Sequence, residues 1–172
     1  ILLNGAKCYV IARVAEGDEL AIEIGDRPDG HIVPMPFPLD VRFEDEDLLI
    51  IDKPAGIAVH QSTRDPGECT LENAVCYYLG GNITPHPVSR LDRGTSGLMV
   101  FAKSGYIHER LKRVMHMDAF TRTYEGIAVG RVEPPCGTIE LPIGMAEGST
   151  YKHAVRDDGA AALTEYETLS AN

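Results

Sequence analysis

The sequence predicts an α+β domain with a mainly antiparallel sheet and a few flanking helices. Three observations lead there. The apolar runs are short, and Gly, Pro, Asn or Asp bounds them, as strands joined by tight turns require. Only two segments carry apolar residues at helical spacing. Strands and helices do not alternate regularly, which a parallel α/β sheet would demand.

Taken in order, residues 1–24 read as two short strands with turn signals at Asn4-Gly5 and Glu16-Gly17-Asp18. Pro28, Pro34, Pro36 and Pro38 follow closely. Proline fixes φ and removes an amide donor, so this stretch predicts a linker or extended arm, with a boundary near residue 36. Leu48-Leu49-Ile50-Ile51 is a short apolar run suited to a buried strand. Lys53-Pro54-Ala55-Gly56 turns the chain, and Ile57 to Val59 is expected to resume as strand. Thr70 has N-cap chemistry for a helix over 71–79, with Leu71, Ala74, Val75, Tyr78 and Leu79 as its apolar stripe. Gly80-Gly81-Asn82 ends it, and Thr84-Pro85-His86-Pro87 reads as loop. Leu98 to Ala102 is a core strand candidate. A second helix is expected over 105–117, with Ile107, Leu111, Val114 and Met115 on one face. Strands are expected over Thr121 to Val129, Gly137 to Ile143 and residues 162–169. The resulting plan is an arm and linker over residues 1–36, then a main domain over 37–172.

The bulk properties constrain the function. Of 172 residues, 44% are hydrophobic and 24% charged, enough apolar material for a core. No apolar run approaches the ~18 residues of a membrane span, and residues 1–14 lack the order of a signal peptide. A cytoplasmic protein without a membrane partner, acting as a monomer, is expected. The first residue is Ile1, so an upstream start is expected. Cys8, Cys69, Cys76 and Cys136 form no CxxC pair, and the six histidines form no HxH or HxxxH pair. Reduced thiols and no metal site are expected.

The net charge is −10, which by itself argues against a nucleic-acid partner. The distribution qualifies that. Residues 90–131 hold eight Lys and Arg against four Asp and Glu, while each of the other stretches is acidic. Arg110, Lys112 and Arg113 fit a solvated helix face equally well.

The basic stretch opens with Arg90-Leu91-Asp92-Arg93-Gly94-Thr95-Ser96-Gly97. A carboxylate lies between two arginines and precedes two hydroxyls and two glycines. Glycine permits positive φ and close backbone approach, flanking cations favour an ionised Asp92, and a strand follows at once. From the octapeptide alone, an active-site loop and a structural Asx-turn with an arginine partner are equally open.

Two further motifs stand in order around it: Asp52-Lys53-Pro54-Ala55-Gly56 upstream and Arg122-Thr123-Tyr124 downstream. The octapeptide resembles the RLD-x-x-TSG motif of RluA-type pseudouridine synthases. Lys53 to Gly56 is similar to that family's first strand and turn, and Arg122-Thr123-Tyr124 to its second motif. Pro135 to Ile139 and Pro142-Ile143-Gly144 are similar to the segment that follows. The resemblance runs from Phe37 to Leu169. Residues 1–24 also look like the back half of an S-four-type RNA-binding domain, with a plain β-hairpin arm equally open.

The resemblance implies isomerisation of a specific uridine to pseudouridine in structured RNA, ribosomal ahead of transfer RNA, without metal or organic cofactor. It implies that Asp92 is the catalytic aspartate, acting on a nucleotide flipped from its stack. It implies that Arg90 fills the vacated space and that Tyr124 contacts the flipped base. Arg122, a substrate-binding candidate, and Lys103 could approach phosphate, with salt-bridge or packing roles equally open. Two departures stand out. Many members have His where Ser89 stands, and His86 is the nearest histidine. The family's third motif, which carries a basic partner for the aspartate, is expected beyond Leu169 and is not in the chain, so the catalytic domain is expected to be C-terminally incomplete. An RNA-binding module or inactive homologue remains the alternative. A phosphatase reading of Asp92-Arg93-Gly94-Thr95 fails, because Gly94 occupies the place of that motif's second aspartate.

Overall fold

A computed structural model describes residues 1–22, 31–62, 67–115, 117 and 120–170. Pro28, the expected last turn of the second helix at residue 116 and the chain end at Asn172 lie outside the described residues. The chain divides into two compact units, Ile1–Thr121 and Arg122–Asn172, each described by itself.

The first unit opens with a small antiparallel sheet of β1 (Leu2–Leu3), β2 (Ala6–Lys7) and β3 (Leu20–Ala21), in the order β2-β1-β3. Its first turn is built by Asn4 and Gly5, both at positive φ, the conformation for which the Asn-Gly signal selects. The Asn4 side chain donates to Asp18 Oδ1 at 2.8 Å and accepts from the Glu19 amide at 2.8 Å, so it joins both turns. A third strand therefore appears where the sequence suggests two.

The main sheet holds β4 (Asp40–Glu44), β5 (Leu48–Lys53), β6 (His86–Pro87) and β7 (Gly97–Ala102), all antiparallel in the order β4-β5-β7-β6. Along β5 the side chains alternate, so Leu49, Ile51 and Lys53 share the buried face. Ile51 pairs with Met99 and Leu49 with Phe101 on β7. Helix α1 (Leu71–Tyr78) lays Leu71 and Val75 on these residues, and Ile57 and Val59 complete the cluster. Each such fully buried apolar side chain contributes roughly 1.5–3 kcal/mol.

Thr70 caps α1 as expected. Its side chain accepts from the Asn73 amide, while Asn73 Oδ1 accepts from the Thr70 amide at 2.9 Å, a reciprocal capping box. Gly80 and Gly81, both at positive φ, stop the helix. The second helix, α2 (Gly105–Val114), starts at Ser104, whose hydroxyl accepts from the Ile107 amide. No helix among the described residues is long and apolar enough to cross a membrane.

Several elements depart from expectation. β4 forms at the start of the main domain, where the sequence reading assigns no element, because Val41 and Phe43 sit at strand spacing just past the prolines. The proline segment docks on the core: Phe37 and Leu39 pack against it, and the Met35 amide donates to the Asn73 carbonyl at 3.1 Å. Ile57 and Val59 are buried from irregular backbone, not from a strand. His86 and Pro87 pair with β7, not loop. Residues 121–129 form no strand, since strand-forming side chains count only where a partner strand supplies the ladder.

In the second unit, β8 (Cys136–Glu140) pairs with β11 (Leu163–Glu167), and β9 (Ile143–Met145) pairs with β10 (His153–Val155), both antiparallel. Among the described residues, two helices and antiparallel strands give the α+β class that the sequence predicts.

Candidate active site

The octapeptide lies between β6 and β7, at one end of the main sheet. Its shape follows from its residues. Leu91 turns inward and packs against the core cluster, close to Gly97 at 3.9 Å from the position of an added Cβ. Gly97 opens β7 at φ +133, a conformation unfavourable for other residues. The Thr95 amide donates to the Asp92 carbonyl at 3.1 Å, closing a turn that leaves Asp92 exposed on its outer side.

The inner side of this turn rests on Lys53, the last residue of β5, opposite Gly97 in the ladder. The Lys53 side chain is 0% exposed. Its Nζ donates to the carbonyls of Pro54 at 3.0 Å, Arg93 at 3.2 Å and Thr95 at 2.7 Å. The Arg93 carbonyl also accepts from the Gly56 amide at 2.7 Å. Burial pushes the Lys53 ammonium below its ordinary range, and the charge of Asp92 pulls it back toward protonation. Lys53 and Gly56 are read in the sequence as a turn only. Nothing in a single lysine announces a contact spanning some forty residues.

Neither flanking arginine is the salt-bridge partner of Asp92 that the Asx-turn reading held open. Arg93 pairs with Glu68, and no salt bridge joins Asp92 to Arg90 or Arg93 among the described residues. Arg90 is exposed and, with Ser89, borders a cavity of about 510 Å³ that His60, Glu72, His86 and His108 also line. His60 Nδ1 lies 2.8 Å from Glu72 Oε2. The His86 and His108 rings stack at 5.5 Å between centroids, so the histidine nearest to Ser89 is engaged with α2. Desolvation pushes the His108 imidazole down from its ordinary value, and His86 and Lys112 add to it. A hydrogen bond with the Pro87 backbone and the charge of Glu109 oppose.

Of the four residues singled out from the sequence, Arg90 and Asp92 belong to the first unit, and Arg122 and Tyr124 open the second. Tyr124 is 61% exposed, in irregular backbone. Lys103 resolves to its structural role. It bonds Glu44 Oε1 at 2.7 Å and the Asp45 carbonyl at 2.5 Å. The four cysteines are free, with Cys76 buried and Cys136 exposed. No cluster of His, Cys, Asp or Glu suited to a metal ion occurs among the described residues.

Comparisons with known proteins agree on one family. The sequence profile described as RNA pseudouridylate synthase matches residues 47–172. The chain is 35% identical over 162 residues to the uncharacterized RNA pseudouridine synthase YhcT of Bacillus subtilis, covering 92% of this chain and 53% of that protein. It is 33% identical over 172 residues to the ribosomal large subunit pseudouridine synthase D of Escherichia coli K12, covering 98% and 52%. It is 36% identical over 160 residues to the protein of that name from Pseudomonas aeruginosa, covering 91% and 49%. The chain thus spans about half the length of the curated relatives it matches. Its fold resembles that of human RNA Pseudouridylate Synthase Domain Containing 4, with a TM-score of 0.51 at 20% identity over 77% of this chain and 54% of that one.

Proposed function

The chain belongs to the RNA pseudouridylate synthase family, and from that premise we propose that it isomerises a specific uridine to pseudouridine in structured RNA, with Asp92 as the catalytic carboxylate. One observation carries the proposal furthest. Asp92 stands exposed on a turn of which two carbonyls, those of Arg93 and Thr95, are held by a buried ammonium. A carboxylate so presented can reach a nucleotide that has left its stack. There it stabilises or traps positive charge at the ribose C1′, or removes a proton, while the base detaches and re-bonds through carbon. The exchange of a C–N for a C–C glycosidic bond is internal and redox-neutral, so it calls for no electron carrier.

Arg90 is proposed to enter the space left by the flipped base, and Tyr124 to stack on the uracil, with Arg122 near the phosphates. Ribosomal RNA is the proposed substrate class, ahead of transfer RNA, because two of the relatives are named as ribosomal large subunit enzymes. A cytoplasmic monomer is part of the same reading.

The test is a pseudouridine map of the host's ribosomal RNA with the gene present, deleted, and restored as wild type or Asp92→Ala at natural length. Deletion is expected to lose at least one site, which wild type restores and Asp92→Ala does not. Full restoration by Asp92→Ala would sink the catalytic assignment. RNA binding with no lost site in any RNA would make the chain a binding module.

A further inference from the structure

The cavity beside the Asp92 loop has a built wall. Its volume of about 510 Å³ lies in the usual range for a site that takes a small organic group. Every residue that lines it belongs to the first unit. One part of the lining comes from the start of α1. The Leu71 and Glu72 amides are among the four that a helix leaves without an internal partner. They donate to the carbonyls of Ala58 at 2.8 Å and Val59 at 3.1 Å. That pairing brings His60, the next residue, alongside Glu72, with Nδ1 2.8 Å from Oε2. Glu72 is thus held through its backbone and through a ring nitrogen, with its side chain 15% exposed.

The carboxylate keeps capacity beyond this contact. An ionised carboxylate offers about four acceptor sites on two oxygens, and one ring N–H takes only one of them. Much of the remaining lining is apolar or aromatic: Ile32, Pro85, Val88 and the stacked rings of His86 and His108. Burial, with His86 adding to it, pushes the His108 imidazole below its ordinary value, so at neutral pH it presents an uncharged ring. Ser89 and Arg90 carry the lining to the loop. Arg90 stands two residues from Asp92, no more than about 7 Å along the chain.

These features select an occupant. A backbone phosphate would meet the like charge of Glu72. A nucleobase meets rings on which it can stack and a carboxylate that accepts from its edge. Cytosine, adenine and guanine each carry an exocyclic amino group, a donor suited to a carboxylate. Uracil has carbonyl oxygens there, and these repel it.

We propose that this cavity takes the nucleobase next to the target uridine, and that Glu72 determines which base, favouring one with an exocyclic amino group over uracil. The proposal rests on the functional reading above for RNA as the ligand, and it deepens that reading to the sequence context of the target. Asp92 acts on the flipped uridine, and its neighbour is read from the strand that flipping opens. The imidazole rings stack on any base, so the choice falls to Glu72.

The experiment uses the protein at natural length and two probes, cytidine monophosphate and uridine monophosphate, matched in size and differing in the amino or carbonyl group on one ring carbon. The ring signals of His60, His86 and His108 are followed by NMR as each is added, with inorganic phosphate as a third titration. The cytidine nucleotide is expected to shift these signals with a Kd at least about fivefold below that of the uridine nucleotide, the low end of what one base-edge contact supplies. Phosphate is expected to leave them in place. In Glu72→Gln, whose amide both donates and accepts, the two Kd values are expected to come within about twofold of each other. A glutamate that served only the start of α1 would leave the preference unchanged in that variant.

The same preference is read in RNA. For a uridine assigned by the pseudouridine map, transcripts carry cytosine or uracil just before or just after the target. At one of these two positions kcat/KM is expected to be at least about fivefold higher with cytosine, and Glu72→Gln is expected to erase the difference. No ring shift at about 10 mM cytidine monophosphate, tenfold above the Kd of a millimolar site, overturns the proposal. So does an equal response to both nucleotides, a response to phosphate equal to theirs, or an active enzyme indifferent to both flanking bases. Failure of the wild type to convert any uridine would defeat the functional reading alone; the nucleotide titrations would still decide whether the cavity reads a base.

Discussion

Asn73→Ala tests the packing of the α1 start against the proline segment. Asn73 is 2% exposed and makes contacts in three directions. Its Oδ1 accepts from the Thr70 amide at 2.9 Å and from the Thr70 hydroxyl at 2.5 Å, and its Nδ2 donates to the Val33 carbonyl at 2.8 Å. Alanine removes all three side-chain contacts and keeps the backbone bond from Met35. The Thr70 amide and hydroxyl, both buried, are left without their acceptor, and the Val33 carbonyl without its donor. A buried polar group stranded in this way costs about 1–3 kcal/mol, and an ordinary lost hydrogen bond about 1 kcal/mol. The better helix propensity of alanine returns about 0.5 kcal/mol. The net loss is about 3 kcal/mol. With a urea m-value of about 1.5 kcal/mol/M, the midpoint falls by about 2 M. Both described helices lie in the first unit, so helical ellipticity in a urea titration reports this unit. A loss below about 1 kcal/mol would refute the reasoning, because it would mean that water satisfies the stranded groups.

Two further outcomes follow from the loop and the cavity. Leu91→Ala should cost about 1–2 kcal/mol, below the range for a fully buried leucine because Leu91 is only partly buried; an unchanged urea midpoint would show that the loop is not tethered through it. For His108, burial lowers the folded-state value below the ordinary value of 6.5. The unfolded chain then takes up the proton first on acidification, so the contribution is intact above about 6.5 and is lost as pH falls through that value toward the lower folded one. Urea midpoints from pH 8 to pH 5 should therefore fall less steeply for His108→Gln than for wild type; parallel curves would refute the assignment.

Much of this was legible in the sequence where the cause is local. Thr70, the apolar stripe behind it and the double glycine after it determine α1 within a dozen residues, and the capping box forms as their chemistry requires. Asn4-Gly5 builds the turn it signals. What was not legible depends on contacts far along the chain. The prolines at 34, 36 and 38 exclude helix but do not reveal that Phe37 and Leu39 pack on the core. Ile57 and Val59 look like a strand because apolar alternation follows burial, and they are buried without a ladder. Strand-forming residues at 121–129 form no strand. At the site the Asp92 motif is visible in the sequence, but its support is not. Arg90 and Arg93 are equally open in the sequence as partners of Asp92, yet Arg93 is engaged by Glu68, while the cation beneath the loop arrives from β5.

That exchange of partners changes what the charge pattern means. The stretch 90–131 is the one basic region of an acidic chain, but basic residues count toward a phosphate backbone only if their charge is free to meet it. Arg93 is paired with Glu68, and Lys103 with Glu44 and the Asp45 carbonyl. Lys112 and Arg113 face Glu109 at 3.9 and 3.7 Å, with more than half of each side chain exposed. Pairs of that kind are worth little, so a phosphate can compete for these cations. Arg90, exposed beside Asp92, and the cations of α2 are thus among the groups that the first unit would offer to the RNA of the proposed reaction. In the proposed reaction, the selection of one uridine falls to shape and to the groups around Asp92. The carboxylate needs no neighbouring arginine to hold it in place for that task. The turn is fixed from below by Lys53, which leaves the outer side of the turn open to a nucleotide.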